Sequence, residues 1–406
     1  MEVVILERGA KRRPESGKGQ GDSFFDRTPW LALGFRPFYL LAAAFAAVSI
    51  PLWLLRYFGL AGPLTHIDLN WHMHEMVFGF VIAVVIGFLY TAGRNWTGLW
   101  TPRGKHLAAL AGLWLAGRAA MLFADAPYAA LVDIAFLPLA AWPLYRVFKL
   151  SGNKRNMFLI GLLSLLTLAN AAYHAAVLGW LPISSITPIH AALMVILVIE
   201  SAIAGRVVPL FTGNAVPGVK PVINLERDKI IMALTAAAAI AWIFSFPGPL
   251  TAALAFAAAF AQATRLAGWK PHRTLTNPLL WVLHLSYAWI PAGFIFLGLA
   301  ALGLIPSSAG IHLLAIGSMA GLIIGMMTRT ALGHTGRMLR AGTAETVMYA
   351  ALHIGVVMRV VAALSSGEVR ELALLGTGIA WSLSFLLYIV TYAPYLLRAR
   401  PDGKEG

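Results

Sequence analysis

Apolar residues run through this chain in stretches long enough to cross a membrane, separated by short polar segments carrying Gly, Pro and basic side chains. The stretches cover 31–55, 70–92, 105–123, 127–149, 156–178, 187–209, 229–246, 249–267, 277–301, 306–328, 343–364 and 371–395. A helix of about 20 apolar residues crosses the hydrocarbon core. A strand reading fails, because the runs are long and continuous and a lipid-exposed backbone must satisfy its hydrogen bonds internally. The predicted fold is therefore all-α, a polytopic membrane bundle of about twelve transmembrane helices. The seventh and eighth runs are divided only by Phe246-Pro247-Gly248-Pro249. An even number of spans puts both termini on one side.

Residues 1–28 are polar, basic and glycine-containing, and read as a disordered tail. They lack the short apolar core and small-residue cleavage site of a signal peptide. Residues 29–397 form the membrane domain, and 398–406 a second short tail. The longest internal connection, 210–228, holds the turn signals Thr212-Gly213-Asn214 and Pro217-Gly218. No internal repeat stands out, which disfavours a repeat-built transporter.

Composition agrees with the pattern and narrows the chemistry. The 406 residues are 59% hydrophobic and 12% charged, half the usual charged share of about 25%. There is no cysteine, which removes thiolate metal sites, iron–sulfur clusters and thiol catalysis. Histidine, carboxylate and thioether remain as ligands. The net charge of +14 is a topology signal. Seventeen basic residues, among them Arg206, Arg265 and Arg329, fall in or beside five alternate connections, whereas the other six hold only Arg56 and Arg370. The rich side is cytoplasmic by the positive-inside rule, and the basic tails join it. Nucleic-acid binding is thereby disfavoured.

Ionisable groups within spans are costly and usually face a bundle interior or a site. His72, His74 and Glu75 open the second span, His174 closes the fifth, and His190 and His312 open the sixth and tenth. Five histidines thus converge on the outer leaflet from four spans, as ligands for haem, copper or zinc. On an ideal helix His72 and His74 point apart. Arg118 and Asp133, at matching depth on two spans joined by a short turn, read as an ion pair. Deeper lie His284, His353 and Glu200, the last a proton relay, a partner for an imidazole or half of a buried pair. Arg36, Arg206 and Arg329 at span edges fit anionic groups such as haem propionates, or lipid phosphates. His334 lies in a cytoplasmic loop, too far to join the outer cluster, with Gly333 and Gly336 forming a tight turn around it.

The blocks Gly34-Phe35-Arg36-Pro37-Phe38, WHMHEMVFGF (71–80), NWTG (95–98), GRVVPLFTGNA (205–215), PLLWVLHLSYAW (278–289) and MTRTALGHTGR (327–337) resemble those of the NnrS family. These are multi-pass bacterial inner-membrane proteins linked to nitric oxide metabolism, denitrification and nitrosative stress. The resemblance spans about 31–400. It implies twelve spans holding b-type haem and copper, with histidine blocks at His72, His74, His284 and His334. It assigns no individual ligand, and it leaves open whether the protein turns over a substrate. The HPE and HH signatures of haem–copper oxidases are absent.

The leading expectation is a haem- and copper-binding membrane protein of the nitric oxide response. Its cofactor-binding set is His72, His74, His174, His190, His284, His312, His353 and Arg36, and its metal set is His72, His74, Glu75, His190 and His312. Nitric oxide, membrane lipid and an unidentified electron donor are the expected partners. A secondary transporter or metal-handling permease, with Glu200, His284 and His353 on its path, is the alternative. A structural or assembly role is the third.

Overall fold

The computed structural model describes residues 24–404 except 61, 63 and 64. Most of the expected N-terminal tail, residues 1–23, lies outside the described residues. Its end forms the short helix Phe24–Arg27.

Twelve long helices follow among the described residues. The first six are α1 (Phe35–Tyr57), α2 (Leu69–Thr97), α3 (Gly104–Phe123), α4 (Ala126–Leu150), α5 (Met157–Val177) and α6 (Ile186–Ala215). The remainder are α7 (Leu225–Ile243), α8 (Gly248–Gly268), α9 (Pro278–Ala301), α10 (Ser307–His334), α11 (Thr343–Leu364) and α12 (Gly367–Leu396). They correspond one to one with the expected runs, and 11 are long and apolar enough to cross a membrane. The exception is α7. Its first turn holds Glu226, Arg227, Asp228 and Lys229, so its apolar part is short.

Two boundaries differ from expectation. Helix α6 continues through Thr212-Gly213-Asn214 to Ala215, shortening the long connection. Inside it, the Thr212 hydroxyl is taken up within the helix, Oγ1 donating to Val208 O at 2.9 Å instead of capping a turn. Arg265, counted above with the loop cations, is 3% exposed inside α8.

Consecutive helices pack side by side, and α12 returns to α1. There the Trp381 Nε1–H donates to Ala46 O at 2.7 Å and Ser382 Oγ to Ala47 O at 3.1 Å. The protein surrounds α2 and α10 most completely: 78% and 72% of their most apolar stretches are buried, against 33% for α3. These two helices also contain π-helical turns, at Glu75–Val81 and Leu313–Ala320. Each π turn begins directly after a candidate histidine, His74 or His312. Such turns interrupt α-helices mostly at functional sites.

Candidate functional site

Asp68 fixes the start of α2, its Oδ1 accepting from Trp71 N at 2.7 Å. From that cap His72 and His74 both fall in the first turns. At about 100° per residue they point to opposite sides. The five histidines therefore do not form one cluster: four divide around α2, and His190 stands apart.

His74 faces α4 and α5. Its Nδ1 lies 2.9 Å from Glu75 Oε1. Its Nε2 lies 2.9 Å from Asn170 Oδ1 and 3.2 Å from Asp133 Oδ2. His174 Nε2 donates to the same Asp133 oxygen at 3.0 Å, and Asn170 Nδ2 donates to it at 2.7 Å. Arg118 spans both carboxylates. Its Nη1 donates to Glu75 at 2.5 and 2.6 Å, and its Nη2 donates to Asp133 Oδ1. The expected Arg118–Asp133 pair is thus present within a larger set. Gly79, one turn after Glu75, allows the approach, since a Cβ there would lie 2.9 Å from both Glu75 Oε2 and Arg118 Nη1.

One ligand atom each from His74, Asp133 and His174 lies within 4.8 Å of the others, and all three residues are buried. Two carboxylates against one guanidinium leave one negative charge. A proton on His74 closes it as an ion network, since both ring nitrogens face oxygen acceptors. A monovalent metal ion closes it equally when the imidazoles ligate. In the ion network Asp133 accepts from His174 Nε2, whereas with a metal the Asp133 carboxylate and the two imidazoles would ligate together.

On the other side of α2, the His72 ring stacks on Trp53 of α1 with centroids 4.4 Å apart. It shares an electrostatic neighbourhood with His312 and Arg359. His312 Nδ1 lies 2.7 Å from Ser308 O. A carbonyl only accepts, so Nδ1 carries the proton and Nε2 keeps its lone pair. His72 Nδ1 has no partner among the described residues. Arg359 makes no ion pair among them either. This second group is cationic where the first is acidic.

His190 belongs to neither group; its ring lies 6.0 Å from Trp242. The deeper residues occupy three separate surroundings. Glu200 Oε1 lies 2.6 Å from Ser318 Oγ, which also bonds Leu314 O at 2.8 Å. It lines an apolar cavity of about 90 Å³ between α2, α6 and α10, with Val84, Ile196 and Met319. His284 Nε2 lies 2.8 Å from Thr212 Oγ1, whose hydrogen is already on Val208 O, so Nε2 carries the proton. His353 Nδ1 accepts from Trp289 Nε1 at 3.0 Å on the α9–α11 side. Neither the cavity beside Glu200 nor the groove beside His353 is lined by all three.

The edge arginines also have partners. Arg36, 1% exposed, donates through Nη1 to Leu396 O at 2.9 Å and Arg398 O at 2.7 Å, covering carbonyls at the end of α12. Arg206 Nη1 donates to Asn156 Oδ1 at 3.1 Å, and Arg329 lies over the Phe211 ring at 3.8 Å. His334 ends α10 rather than lying in a free loop. It packs 5.7 Å from the Phe35 ring, and its carbonyl accepts from Arg400 at 3.1 Å.

Sequence reasoning missed Asn170 and the role of Asp133 as a shared acceptor. Asn170 precedes His174 by four residues, so helical spacing alone puts both on one face. It also missed a polar network linking α6 to α9. There Arg265 Nε lies 3.1 Å from Asp228, its Nη1 donates to Tyr287 at 3.2 Å, and Gln262 Nε2 donates to Ser201 and Thr235 at 3.0 and 2.8 Å.

The family described as NnrS protein matches residues 29–400. No curated protein matches the chain.

Proposed function

The chain belongs to the NnrS family, and from that premise we propose that it is an inner-membrane haem- and copper-binding protein acting in nitric oxide metabolism or the response to nitrosative stress. One observation supports this most: the histidines around α2 separate into an acidic group and a cationic group of different ligand character. The acidic group, His74, Asp133 and His174, fits copper. Imidazole and carboxylate donors converge there, and one positive charge is needed for neutrality. To the cationic group, His72, His312 and Arg359, we assign haem of b type, with imidazole for the iron and a guanidinium for a propionate. When bound, the haem iron supplies a site for a diatomic gas and the copper a one-electron couple.

The chain's own residues prepare both sites. Ser308 O fixes the His312 tautomer with Nε2 free, and Trp53 fixes the plane of His72. Asp133 holds His174, while Arg118 holds Asp133 and Glu75 in position. In the orientation proposed from the basic loops, both termini are cytoplasmic and both groups lie toward the outer face.

Haem and copper content of the purified protein test the assignment. His312→Ala is expected to lose haem and keep copper, and His174→Ala the reverse. The wild-type Soret band is expected to shift on addition of nitric oxide. Wild-type stoichiometry of both cofactors in both variants, or a purified protein holding neither, overturns it.

A further inference from the structure

The block Asn95-Trp96-Thr97-Gly98 belongs to neither histidine group. It ends α2 and builds a rigid turn there. Thr97 Oγ1 donates to Gly93 O at 2.6 Å and accepts from Leu99 N at 3.2 Å. Gly98 takes the left-handed conformation, φ 71°, that closes a helix C-terminus. Farther along, Thr101 Oγ1 donates to Tyr90 O at 2.9 Å, so the connection to α3 folds back against the helix it leaves. Asn153, from the α4–α5 connection, donates to Trp96 O at 3.5 Å and ties the two connections together.

Two guanidiniums lie against the Trp100 indole, Arg94 at 4.3 Å and Arg103 at 4.5 Å from the ring centroid. A guanidinium that covers a ring uses its face and keeps its N–H edge for an acceptor. Arg94 gives one N–H to Gly98 O at 2.5 Å, and Arg103 meets no acceptor among the described residues. Segments 94–106 and 146–156 together hold seven Lys or Arg and no Asp or Glu. Other cations on this side of the bundle meet acids, Lys229 with Glu226 and Arg400 with Asp402. Apolar surface adjoins the arginines. Trp96, Leu99 and Trp100 are exposed at the end of a membrane-spanning helix, where indoles sit at headgroup level.

We propose that Arg94 and Arg103, braced on Trp100, bind the phosphate of an anionic phospholipid, with Trp96 and Leu99 against the start of its acyl chains. Charge and position select this occupant. Two guanidinium edges at one place suit an oxyanion with several acceptor oxygens, and at a span end the bilayer supplies phosphate at headgroup level. A zwitterionic headgroup would bring its own cation into a region that already holds seven. A soluble phosphate ester would leave the exposed indole and leucine uncovered. Neither haem nor copper takes part, so this site stands apart from their assignment.

The chain has no cysteine, and Asn95 is exposed beside the turn, so Asn95→Cys gives the full-length protein a unique site for a thiol-reactive fluorophore. Phosphatidylglycerol brominated in its acyl chains, titrated into the labelled protein in nonionic micelles, is expected to quench the label saturably. Brominated phosphatidylcholine is expected to need a concentration at least about tenfold higher. Arg103→Gln is expected to weaken phosphatidylglycerol about tenfold, the effect of losing one hydrogen bond to a charged group. Arg340→Gln, exposed on another connection, is expected to leave the affinity unchanged, and millimolar glycerol 3-phosphate to leave the lipid bound. Equal response to the two lipids, wild-type affinity in a folded Arg103→Gln, or the same loss in Arg340→Gln overturns the proposal. Displacement by glycerol 3-phosphate also overturns it, in favour of a soluble phosphate ester. Should Arg103→Gln fail to fold, the comparison of lipids and the glycerol 3-phosphate competition decide.

Discussion

Replacing Asp133 by Asn tests whether one carboxylate organises the acidic group. Asp133 is 3% exposed and accepts from four side chains: Arg118 at Oδ1, and Asn170, His174 and His74 at Oδ2, at 2.7, 3.0 and 3.2 Å. The substitution keeps the shape and removes the charge. Either orientation of the new amide turns an NH₂ toward a donor, Arg118 in one case and Asn170 with His174 in the other. Removing one partner of a buried pair costs about 3–5 kcal/mol. Arg118 retains Glu75 at 2.5 Å, so a value near the lower end, about 3 kcal/mol, is expected. Equilibrium unfolding in mixed micelles measures it, followed by tryptophan fluorescence.

Copper adds a second arm to the same experiment. Metal that binds only the folded state stabilises by RT ln(1 + [L]/Kd), about 2.7 kcal/mol at a hundredfold excess over Kd. Copper-stripped wild type is expected to gain about that much on reloading, and Asp133→Asn nothing. A variant within 0.5 kcal/mol of wild type that still binds copper stoichiometrically refutes both the hub and the ligand roles of Asp133. Destabilisation without any copper effect in the wild type leaves an ion network and removes the metal.

Gly205→Ala is expected to destabilise by about 2–4 kcal/mol despite the better helix propensity of Ala, because its Cβ would overlap the buried Arg265 guanidinium; a cost that persists undiminished in an Arg265→Met background would contradict this. Arg36→Met removes two charge-assisted bonds to carbonyls at the end of α12, and faster amide exchange around 390–398 is expected, equivalent to about 1.5–3 kcal/mol of local stability. Haem loss without such exchange would restore Arg36 to the cofactor. Glu200→Gln keeps an acceptor for Ser318 while removing an ionisable group from an apolar cavity. Stability within about 1 kcal/mol of wild type, or above it, is expected, and a larger loss in thermal unfolding would point to a charged partner for Glu200.

The spans were legible because about 20 apolar residues in a row leave few alternatives. Divergence of His72 and His74 was legible too, because it follows from 100° per residue once Asp68 fixes the start of the helix. The Arg118–Asp133 pair followed from a short turn and equal depth. What failed needed contacts between elements remote in sequence. His312 and His174 sit at similar expected depth, yet they lie on opposite sides of α2, and depth carries no azimuth. The π turns after His74 and His312 have no compositional signature. Hydrogen-bond partners fix the tautomers of His284, His312 and His353, and Thr212, Ser308 and Trp289 are distant or unremarkable in the sequence.

Basic residues show the same division between local and tertiary information. Arginines in loops mark a side of the membrane, whereas a buried arginine must be answered by something inside. Arg36 is answered by carbonyls of the last helix, Arg118 by two carboxylates, and Arg265 by Asp228 with Ser201 and Tyr287. Arg359 has no ion-pair partner among the described residues. It shares its surroundings with His72, whose Nδ1 has no partner there, and with His312, whose Nδ1–H is held by Ser308 O. A cation without an anion, beside an imidazole whose Nε2 keeps its lone pair, suits a ligand that brings both a carboxylate and a Lewis-acidic centre. Haem carries both on one molecule, which is why the cationic group, and not the more crowded acidic one, is its proposed place.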